Sequence, residues 1–217
     1  MDIQSSINSG GMNLSVRFKQ LTIQHEASPF VLFDCWYAEA AQCDGIEDHT
    51  ALTLATTDAQ GAPDARQVLL KGYDERGFVF YTNMTSPKAA QLRAMPRAAL
   101  CFYWMPLGKQ VRIRGAVEET SAEDADAYFA SRPRQSRLGA WASKQSQPIE
   151  TPRALEKRIA KYVARYLFGP VPRPEFWNGF RVIPETIEFW LKQPYRLHDR
   201  VLYTKAGSDW KRQRLYP

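Results

Sequence analysis

The clearest structural pattern in the sequence is Ala98–Val117, AALCFYWMPLGKQVRIRGAV. It contains two apolar runs, Ala98–Trp104 and Gln110–Val117, separated by Met105–Gly108. Pro and Gly within that separating segment are typical of a turn, and the runs around it have the residue types that strands favour. The pattern predicts an antiparallel β-hairpin.

Further strands precede this hairpin. Apolar runs separated by turn residues at Asp58–Gly61 and Asp74–Gly77 predict strands at Ala51–Thr57, Gln67–Leu70 and Phe78–Thr82. Five strands in roughly seventy residues, with turns about every 8–12 residues, favour a small antiparallel barrel over a parallel sheet.

Helices and a second group of strands surround this barrel. Cap residues and prolines predict helices that begin at Ser28-Pro29, at Ser86-Pro87 (ending at Pro96), at Thr120/Ser121 (ending at Pro133) and at Thr151-Pro152 (ending near Phe168). The C-terminal stretch predicts strands at Phe180–Ile183, Thr186–Trp190, Val201–Thr204 and Trp210–Leu215. We therefore expect an α+β fold with a barrel at its centre and peripheral helices, formed by residues 26–217. Residues 1–25, with Gly10-Gly11 and weak periodicity, are expected to be a mobile arm.

The composition restricts the partners. Among 217 residues the net charge is +6, and arginine (19) outnumbers lysine (10). This balance favours anionic partners, and more narrowly phosphate or carboxylate groups that a guanidinium binds with two hydrogen bonds. No 18-residue apolar run or secretion signal is present, and the odd number of cysteines without a CxxC spacing suggests a reducing compartment. We expect a cytoplasmic protein without a membrane partner.

Several chemistries lack their motif. His25, His49 and His198 are far apart and have no cysteine partners, which argues against a metal site. GxSxG, GxGxxG and Walker patterns are absent, so the sequence does not support a serine hydrolase, a Rossmann dehydrogenase or a P-loop protein.

Anion-binding groups remain in the middle of the chain. Arg66 and Lys71 flank a predicted strand, and their odd separation places them on opposite faces unless the strand bends. Tyr81-Thr82 followed by Ser86-Pro87-Lys88 is a strand, turn and helix start, where free backbone N–H groups favour a phosphate. The alternatives are strand-end cations in solvent, and ordinary capping by Ser86 with a solvated Lys88.

A third candidate group follows. Tyr128 and Arg132 share a helix face, and Ser136 comes just after it, so the three offer hydrogen-bond donors to one phosphate. A Tyr–Arg stack without any ligand explains the first two equally well. The small residues of Gly139–Ser146 permit close approach to a flat ligand, or form a plain surface loop with its Trp anchored in the core.

The densest group lies near the C-terminus. In an extended segment Arg196, His198 and Arg200 alternate onto one face, which costs electrostatic repulsion unless an anion lies against them. Trp190 is either a core residue or a platform for a ring. His198 is either part of this group or an ordinary surface histidine.

Taken in order, five segments resemble the pyridoxine (pyridoxamine) 5′-phosphate oxidase family. They are RQVLLK from Arg66, FYTN from Phe80 with Ser86 and Lys88, SRP from Ser131 with Ser136, GAW from Gly139 with Gln145-Ser146, and EFW from Glu188 with RLHDR from Arg196. The similarity runs from about Ser28 to Pro217.

The resemblance implies an FMN-binding split β-barrel and a homodimer with FMN in clefts at the subunit interface. The residues that it implies for FMN are Arg66, Lys71, Tyr81, Thr82, Lys88, Gln110, Gln145, Ser146, Trp190 and Arg200. Those that it implies for the substrate are Lys71, Tyr128, Arg132 and Ser136 at the phosphate, with Arg196 and His198 against the pyridine ring as catalytic residues.

The implied reaction is oxidation of pyridoxine or pyridoxamine 5′-phosphate to pyridoxal 5′-phosphate. A hydride leaves C4′ for the flavin, dioxygen becomes hydrogen peroxide, and the amine substrate also releases ammonia. The protein then mainly stacks and orients the substrate on the flavin, which fits the lack of a nucleophile or paired carboxylates. Arg196 would stabilise charge and position the reacting carbon.

The chain departs from the family pattern at several positions. Pro87 and Lys109 replace arginines, Asn178 replaces a glycine, and residues 1–25 lack the family's Arg…Tyr motif. Two other functions remain open. One is a split-barrel FMN oxidase of the phenazine-pathway type; the other is a non-catalytic binder of flavin, pyridoxal phosphate or RNA. No RNA-binding motif supports the last, so we expect no nucleic-acid partner.

Overall fold

The computed structural model describes residues 22–217, so the predicted arm lies almost entirely outside the described residues. The described part contains five α-helices: α1 (Pro29–Ala41), α2 (Pro87–Ala94), α3 (Ala122–Ser131), α4 (Arg134–Ala142) and α5 (Pro152–Arg165). It also contains nine strands: β1 (Ala51–Thr57), β2 (Pro63–Leu69), β3 (Gly72–Asp74), β4 (Gly77–Asn83), β5 (Arg97–Trp104), β6 (Lys109–Glu119), β7 (Trp177–Leu191), β8 (Asp199–Ala206) and β9 (Asp209–Leu215). The α+β prediction is confirmed.

All nine strands belong to one antiparallel sheet. The order along the main path is β2-β1-β5-β6-β7-β4-β3, and β8 and β9 continue from β7 as a branch. The hairpin predicted from Ala98–Val117 is β5–β6, in which Leu100 pairs with Ile113 and Trp104 with Lys109. Its turn is a short 3₁₀ segment, closed by Gly108 in the left-handed conformation that glycine adopts easily (φ 60°).

The core lies inside the curled sheet, under α1. Alternate residues of β5, from Ala98 to Trp104, are buried, as a strand with one core face requires. Phe33 of α1 is fully buried, and its ring meets the Phe78 and Phe102 rings edge-on at 5.0 and 5.5 Å. Burial of each such side chain contributes about 1.5–3 kcal/mol, so the packing of α1 on the sheet stabilises the core.

A smaller apolar cluster lies under α3, α4 and α5. Its buried members are Phe129, Leu138, Val171 and Trp177. Because Trp177 begins β7, this cluster attaches the three helices to the end of the sheet that carries β4.

Two predictions about local structure are wrong. The two strands predicted at Phe180–Ile183 and Thr186–Trp190 are one continuous strand, β7. The register against β6 shifts between Arg114 and Gly115, so the proline in the middle of β7 lies at a bulge, where its missing N–H is tolerated. A Cβ on Gly115 would lie 1.8 Å from the Ile183 carbonyl oxygen, which is why glycine is needed at this crossing.

The second error concerns the first half of Gly139–Ser146, for which a surface loop was one alternative. Residues up to Ala142 are the last part of helix α4, and the Trp141 ring packs against Tyr162 and Tyr166. Packing of α4 on α5 outweighs the low helix propensity of Gly139. Helix α5 itself ends at Arg165, slightly before the predicted end near Phe168.

Within residues 22–217, no helix combines the length and the apolar character that crossing a membrane requires.

Candidate active site

A cavity of about 460 Å³ lies where β2, β4 and β7 meet helices α2, α3 and α4. This is within the usual size of a small-molecule site. Eight of the predicted site residues line it: Lys71, Tyr81, Thr82, Lys88, Tyr128, Arg132, Ser136 and Gln145. The other lining residues are Gln67, Val68, Leu69, Asn83, Gly139, Ala140, Ser143 and Trp177.

Lys88 is a buried cation on the cavity wall. Its Nζ donates to Gln145 Oε1 (2.9 Å), which also accepts from the Thr82 hydroxyl (3.1 Å). The Ser86 hydroxyl does not cap α2 and instead donates to the Asn83 carbonyl (2.7 Å). The alternative of a capping Ser86 with a solvated Lys88 is therefore wrong. Burial, and secondarily Arg66, lower the Lys88 pKa, and its hydrogen-bond partners are neutral, so the ammonium lacks a directly bonded anion.

Arg132 is a second cation on this wall. It follows the last residue of α3 and precedes Pro133, which forces extended backbone and turns the side chain away from the helix direction. Its guanidinium carbon lies 5.0 Å from the Trp177 ring centroid and 5.4 Å from that of Phe129. The stack of Arg132 on Tyr128 that the helical spacing suggested is replaced by these two rings. Nη1 is buried without a hydrogen-bond partner.

Three aromatic rings stack on one another beside the cavity. The Tyr81 ring lies parallel to the Tyr128 ring at 4.3 Å and to the Trp177 ring at 5.1 Å. Tyr81 pairs with Gly179 across β4 and β7, and a Cβ on Gly179 would lie 2.8 Å from the Tyr81 ring. The sequence interpretation missed Trp177 and Gly179, because only the β4–β7 register brings them to Tyr81.

Arg66 lies outside the cavity wall. Its guanidinium donates to Thr56 Oγ1 (2.6 Å) and Gln91 Oε1 (3.0 Å) and forms an ion pair with Asp64. Lys71, just past the end of β2, does line the cavity. The two cations therefore have different surroundings, as their odd spacing suggested.

The remaining predicted residues form a second cluster. Trp190 pairs with Gln110 on one side and with Arg200 on the other, so the three form a row across β6, β7 and β8. The His198 ring lies 4.4 Å from the Trp190 ring, and its Nδ1 accepts from the Gln193 amide. None of these residues lines the cavity, and neither do Arg196 or Ser146.

The expected alternation of Arg196, His198 and Arg200 along an extended segment is wrong. Arg196 is exposed and lies in a 3₁₀ turn, where it and Tyr195 have left-handed backbone (φ 61° and 58°). Arg200 already has an anion, because Glu188 accepts from its Nε (2.9 Å) and Nη2 (2.7 Å). A ligand is therefore not needed to offset its charge.

The positions that depart from the family pattern have structural partners. Pro87 is the first residue of α2, where proline fits well. Lys109 pairs with Glu39 and lies 4.8 Å above the Trp36 ring centroid. Asn178 bonds to Thr120, through its Oδ1 (3.0 Å) and its Nδ2 (3.3 Å).

The two clusters lie near opposite ends of one strand. Asn178 of β7 pairs with Thr82 beside the cavity, whereas Trp190 of β7 pairs with Gln110. At about 3.3 Å per residue, roughly 40 Å of strand separates these two points. The two clusters are therefore far apart along β7, and Gln110, Trp190, His198 and Arg200 do not line the cavity.

The cavity suits a flat, phosphorylated cofactor such as FMN. Lys88, whose hydrogen-bond partners are all neutral, can bind a phosphate, and the stacked Tyr81, Tyr128 and Trp177 rings give an aromatic surface beside it. The side chains that line the cavity are therefore compatible with FMN.

The fold and this cavity define a split-barrel protein of the FMN-binding class. An FMN-binding, pyridoxamine 5′-phosphate oxidase-related protein from Nostoc punctiforme has the same fold (TM-score 0.71, 18% identity, covering 89% of this chain and all of that one). PhzG from Burkholderia lata, solved with tetrahydrophenazine-1-carboxylic acid, superposes with a TM-score of 0.83 at 31% identity, covering 88% and 94% of the two chains.

Sequence relatives narrow the class further. Residues 38–166 match the pyridoxamine 5′-phosphate oxidase family model, and residues 177–217 match the pyridoxine 5′-phosphate oxidase C-terminal dimerisation region. The pyridoxine/pyridoxamine 5′-phosphate oxidase of Mesorhizobium japonicum is 55% identical over 192 residues, 88% of this chain and 93% of the relative. That of Brucella canis is 54% identical over 193 residues, 88% and 95% of the two chains. The chain belongs to the pyridoxamine 5′-phosphate oxidase family, whose cofactor is FMN, and the predicted family and fold are confirmed.

Proposed function

We propose that this chain oxidises pyridoxine 5′-phosphate and pyridoxamine 5′-phosphate to pyridoxal 5′-phosphate, and so serves vitamin B6 biosynthesis and salvage. The observation that carries the proposal is a cavity with parallel aromatic rings, the buried Lys88 and the partly buried Arg132, neither cation bonded to an acidic group, in a chain that resembles such oxidases over most of its length. A bound flavin supplies the hydride acceptor, and dioxygen takes up the electrons as hydrogen peroxide.

The active form that we propose is a homodimer in which each site combines two copies. Residues 177–217 match a dimerisation region, and this segment carries Trp190, Arg196, His198 and Arg200. Since one chain keeps these residues about 40 Å of strand away from the cavity, the second copy is the source that supplies them, together with its Gln110. FMN then lies at the subunit interface.

Within that site we assign the anionic ends of the two ligands to different cations. Lys88, Thr82 and Gln145 are already joined by hydrogen bonds and hold the cofactor, with Tyr81 at its side and Arg66 and Ser146 nearby. Lys71, Tyr128, Arg132 and Ser136 hold the phosphate of the substrate.

The second cluster orients the pyridine ring. The left-handed Arg196 backbone costs about 1–3 kcal/mol, and such strain is concentrated at functional positions. His198 is held by the Trp190 ring and the Gln193 amide, so its Nε2 is the nitrogen left to contact the ligand.

A phenazine-type oxidation is the second candidate, because PhzG from Burkholderia lata has a similar structure. A tricyclic substrate of this kind carries a carboxylate and no phosphate, so it would present a different anion to Arg132. The phosphate group therefore decides between the two functions.

The test is anaerobic reduction of the purified yellow protein. Pyridoxine 5′-phosphate should bleach the flavin absorption, whereas pyridoxine without phosphate should bleach it only at far higher concentration. Air should restore the colour with release of hydrogen peroxide. Bleaching by a dihydrophenazine carboxylate but not by pyridoxine 5′-phosphate would favour the second candidate, and a colourless protein that FMN does not reconstitute would reject both.

Arg132 gives a test of the assigned clamp. In Arg132→Ala, KM for pyridoxine 5′-phosphate should rise by roughly ten- to a hundredfold, because one charge-assisted hydrogen-bond partner is lost, while bound FMN stays at one per chain. An unchanged KM would remove Arg132 from the clamp.

A further inference from the structure

Arg132 differs from Arg66 and Arg200 in what holds it. Arg200 is held by the Glu188 carboxylate, and Arg66 by Asp64. Within residues 22–217, the Arg132 guanidinium has no carboxylate partner and no hydrogen bond; it lies instead over the rings of Phe129 and Trp177.

This difference has a chemical consequence. A carboxylate partner would occupy guanidinium N–H groups and neutralise the charge, so it would compete with an anionic ligand. An aromatic face attracts the cation through its π-system and leaves the N–H donors free. Arg132 is therefore fixed in place while its hydrogen-bonding capacity remains available.

Trp177 is well suited to fix it. The side chain is almost completely buried, and its backbone is held by the Pro174 carbonyl, by Arg173 and by pairing with Asn83. The indole is also the aromatic ring that binds cations most strongly.

We propose that Trp177 is a positioning residue for phosphate recognition: its indole face holds the Arg132 guanidinium at the cavity wall with the N–H groups free for the ligand phosphate. This rests on the proposed function, in which Arg132 binds the substrate phosphate. Trp177 then determines how strongly the site prefers a phosphorylated ligand to the same ligand without phosphate.

The test compares binding of pyridoxal 5′-phosphate and pyridoxal to the FMN-loaded protein by isothermal titration calorimetry. In Trp177→Leu, Kd for pyridoxal 5′-phosphate should rise about tenfold, and Kd for pyridoxal should not change. Trp177→Phe should restore part of the loss, since phenylalanine keeps an aromatic face. Trp210→Leu is the matched control, because Trp210 also lies under a cation, Lys205 at 4.9 Å, but outside the cavity.

A double-mutant cycle tests whether Trp177 acts through Arg132. In an Arg132→Ala background, Trp177→Leu should weaken pyridoxal 5′-phosphate binding by less than twofold, because the residue that it positions is gone. A full tenfold effect in that background would overturn the proposal. If Trp177→Leu does not fold, Trp177→Phe is measured instead, both in the unmodified protein and in Arg132→Ala. We expect it to weaken pyridoxal 5′-phosphate binding about threefold in the unmodified protein and not at all in Arg132→Ala.

Failure of this inference is distinguishable from failure of the proposed function. If the unmodified protein binds pyridoxal as tightly as pyridoxal 5′-phosphate, the phosphate clamp itself is wrong. If it prefers the phosphate and Trp177→Leu retains the same preference, only the role of Trp177 is rejected.

Discussion

Replacing Glu188 by alanine should destabilise the protein strongly, because this carboxylate joins two arginines. Its oxygens accept from Arg200 Nε and Nη2 at 2.9 and 2.7 Å and from Arg112 Nη1 at 3.2 Å. The Glu188 side chain is only 10% exposed, whereas that of Arg112 is 45% exposed. In Glu188→Ala both guanidinium groups lose their anion, and Arg200, at 26% exposure, is only partly rehydrated.

The magnitude follows from this burial. Breaking a buried ion pair by removing one partner costs about 3–5 kcal/mol, and the exposure of Arg112 places this case at the lower end, about 3 kcal/mol. For a chain of this size each kcal/mol lowers the melting temperature by about 2–4 °C, so we expect a fall of about 6–12 °C.

The assay is thermal unfolding at one protein concentration in excess FMN, since both dimerisation and cofactor binding shift the midpoint. The matched control is Glu185→Ala on the same strand, whose ion pair with Arg97 is exposed on both sides (48% and 61%) and should contribute about 0–1 kcal/mol. The melting temperature of Glu188→Gln should lie between those of Glu188→Ala and Glu185→Ala, because glutamine retains a hydrogen-bond acceptor without the charge. Melting temperatures for Glu188→Ala and Glu185→Ala within 2 °C of each other would show that Glu188 does not stabilise the protein through this buried ion pair.

Three further predictions concern the cavity. Gly179→Ala should weaken FMN binding, measured by fluorescence titration, because the added Cβ would displace the Tyr81 ring. Gly72→Ala is the control, because its Cβ would meet nothing within 4 Å. Equal FMN affinities of the two variants would contradict the prediction. Burial lowers the Lys88 pKa, so the folded protein releases this proton at a lower pH than the unfolded chain does. The cofactor-free protein should therefore gain stability as pH rises toward 10.5, and FMN affinity should fall over the same range because the ammonium charge is lost. If FMN affinity falls in the same way in Lys88→Arg, Lys88 is not the cause. Gly139→Leu should place a side chain in the open cavity, so KM for the substrate should rise. The melting temperature should not fall, because leucine favours the helix more than glycine does. An unchanged KM would show that the ligand does not reach Gly139.

Much of the fold is predictable from local patterns. The β5–β6 hairpin follows from the alternation in Ala98–Trp104 and from the turn that Gly108 closes, which are properties of short segments. Helix α4 was not predicted, because Gly139 and its small neighbours have low helix propensity and the stabilising contacts come from α5. The continuity of β7 depends on a bulge opposite Gly115, which appears only once the strands are paired.

In the candidate site, too, contacts within one short segment were predictable and contacts between distant segments were not. Tyr81, Thr82 and Lys88 lie close together in sequence, and a strand-turn-helix pattern predicted that they meet. Trp177 reaches Tyr81 only through the β4–β7 register, and Glu188 reaches Arg200 only through the β7–β8 pairing. Partners that come from distant parts of the chain were therefore missed, although the family resemblance named most residues of the site.

Subunit complementation shows whether each site combines residues of two copies. Arg132→Ala and His198→Ala impair different clusters, so each homodimer has two defective sites. When equal amounts are unfolded together and refolded, half of the dimers should be mixed, and each mixed dimer should contain one intact site. At a substrate concentration well below the KM of Arg132→Ala, we predict recovery of about a quarter of the unmodified activity. A mixture no more active than the average of the two separate variants would contradict the account.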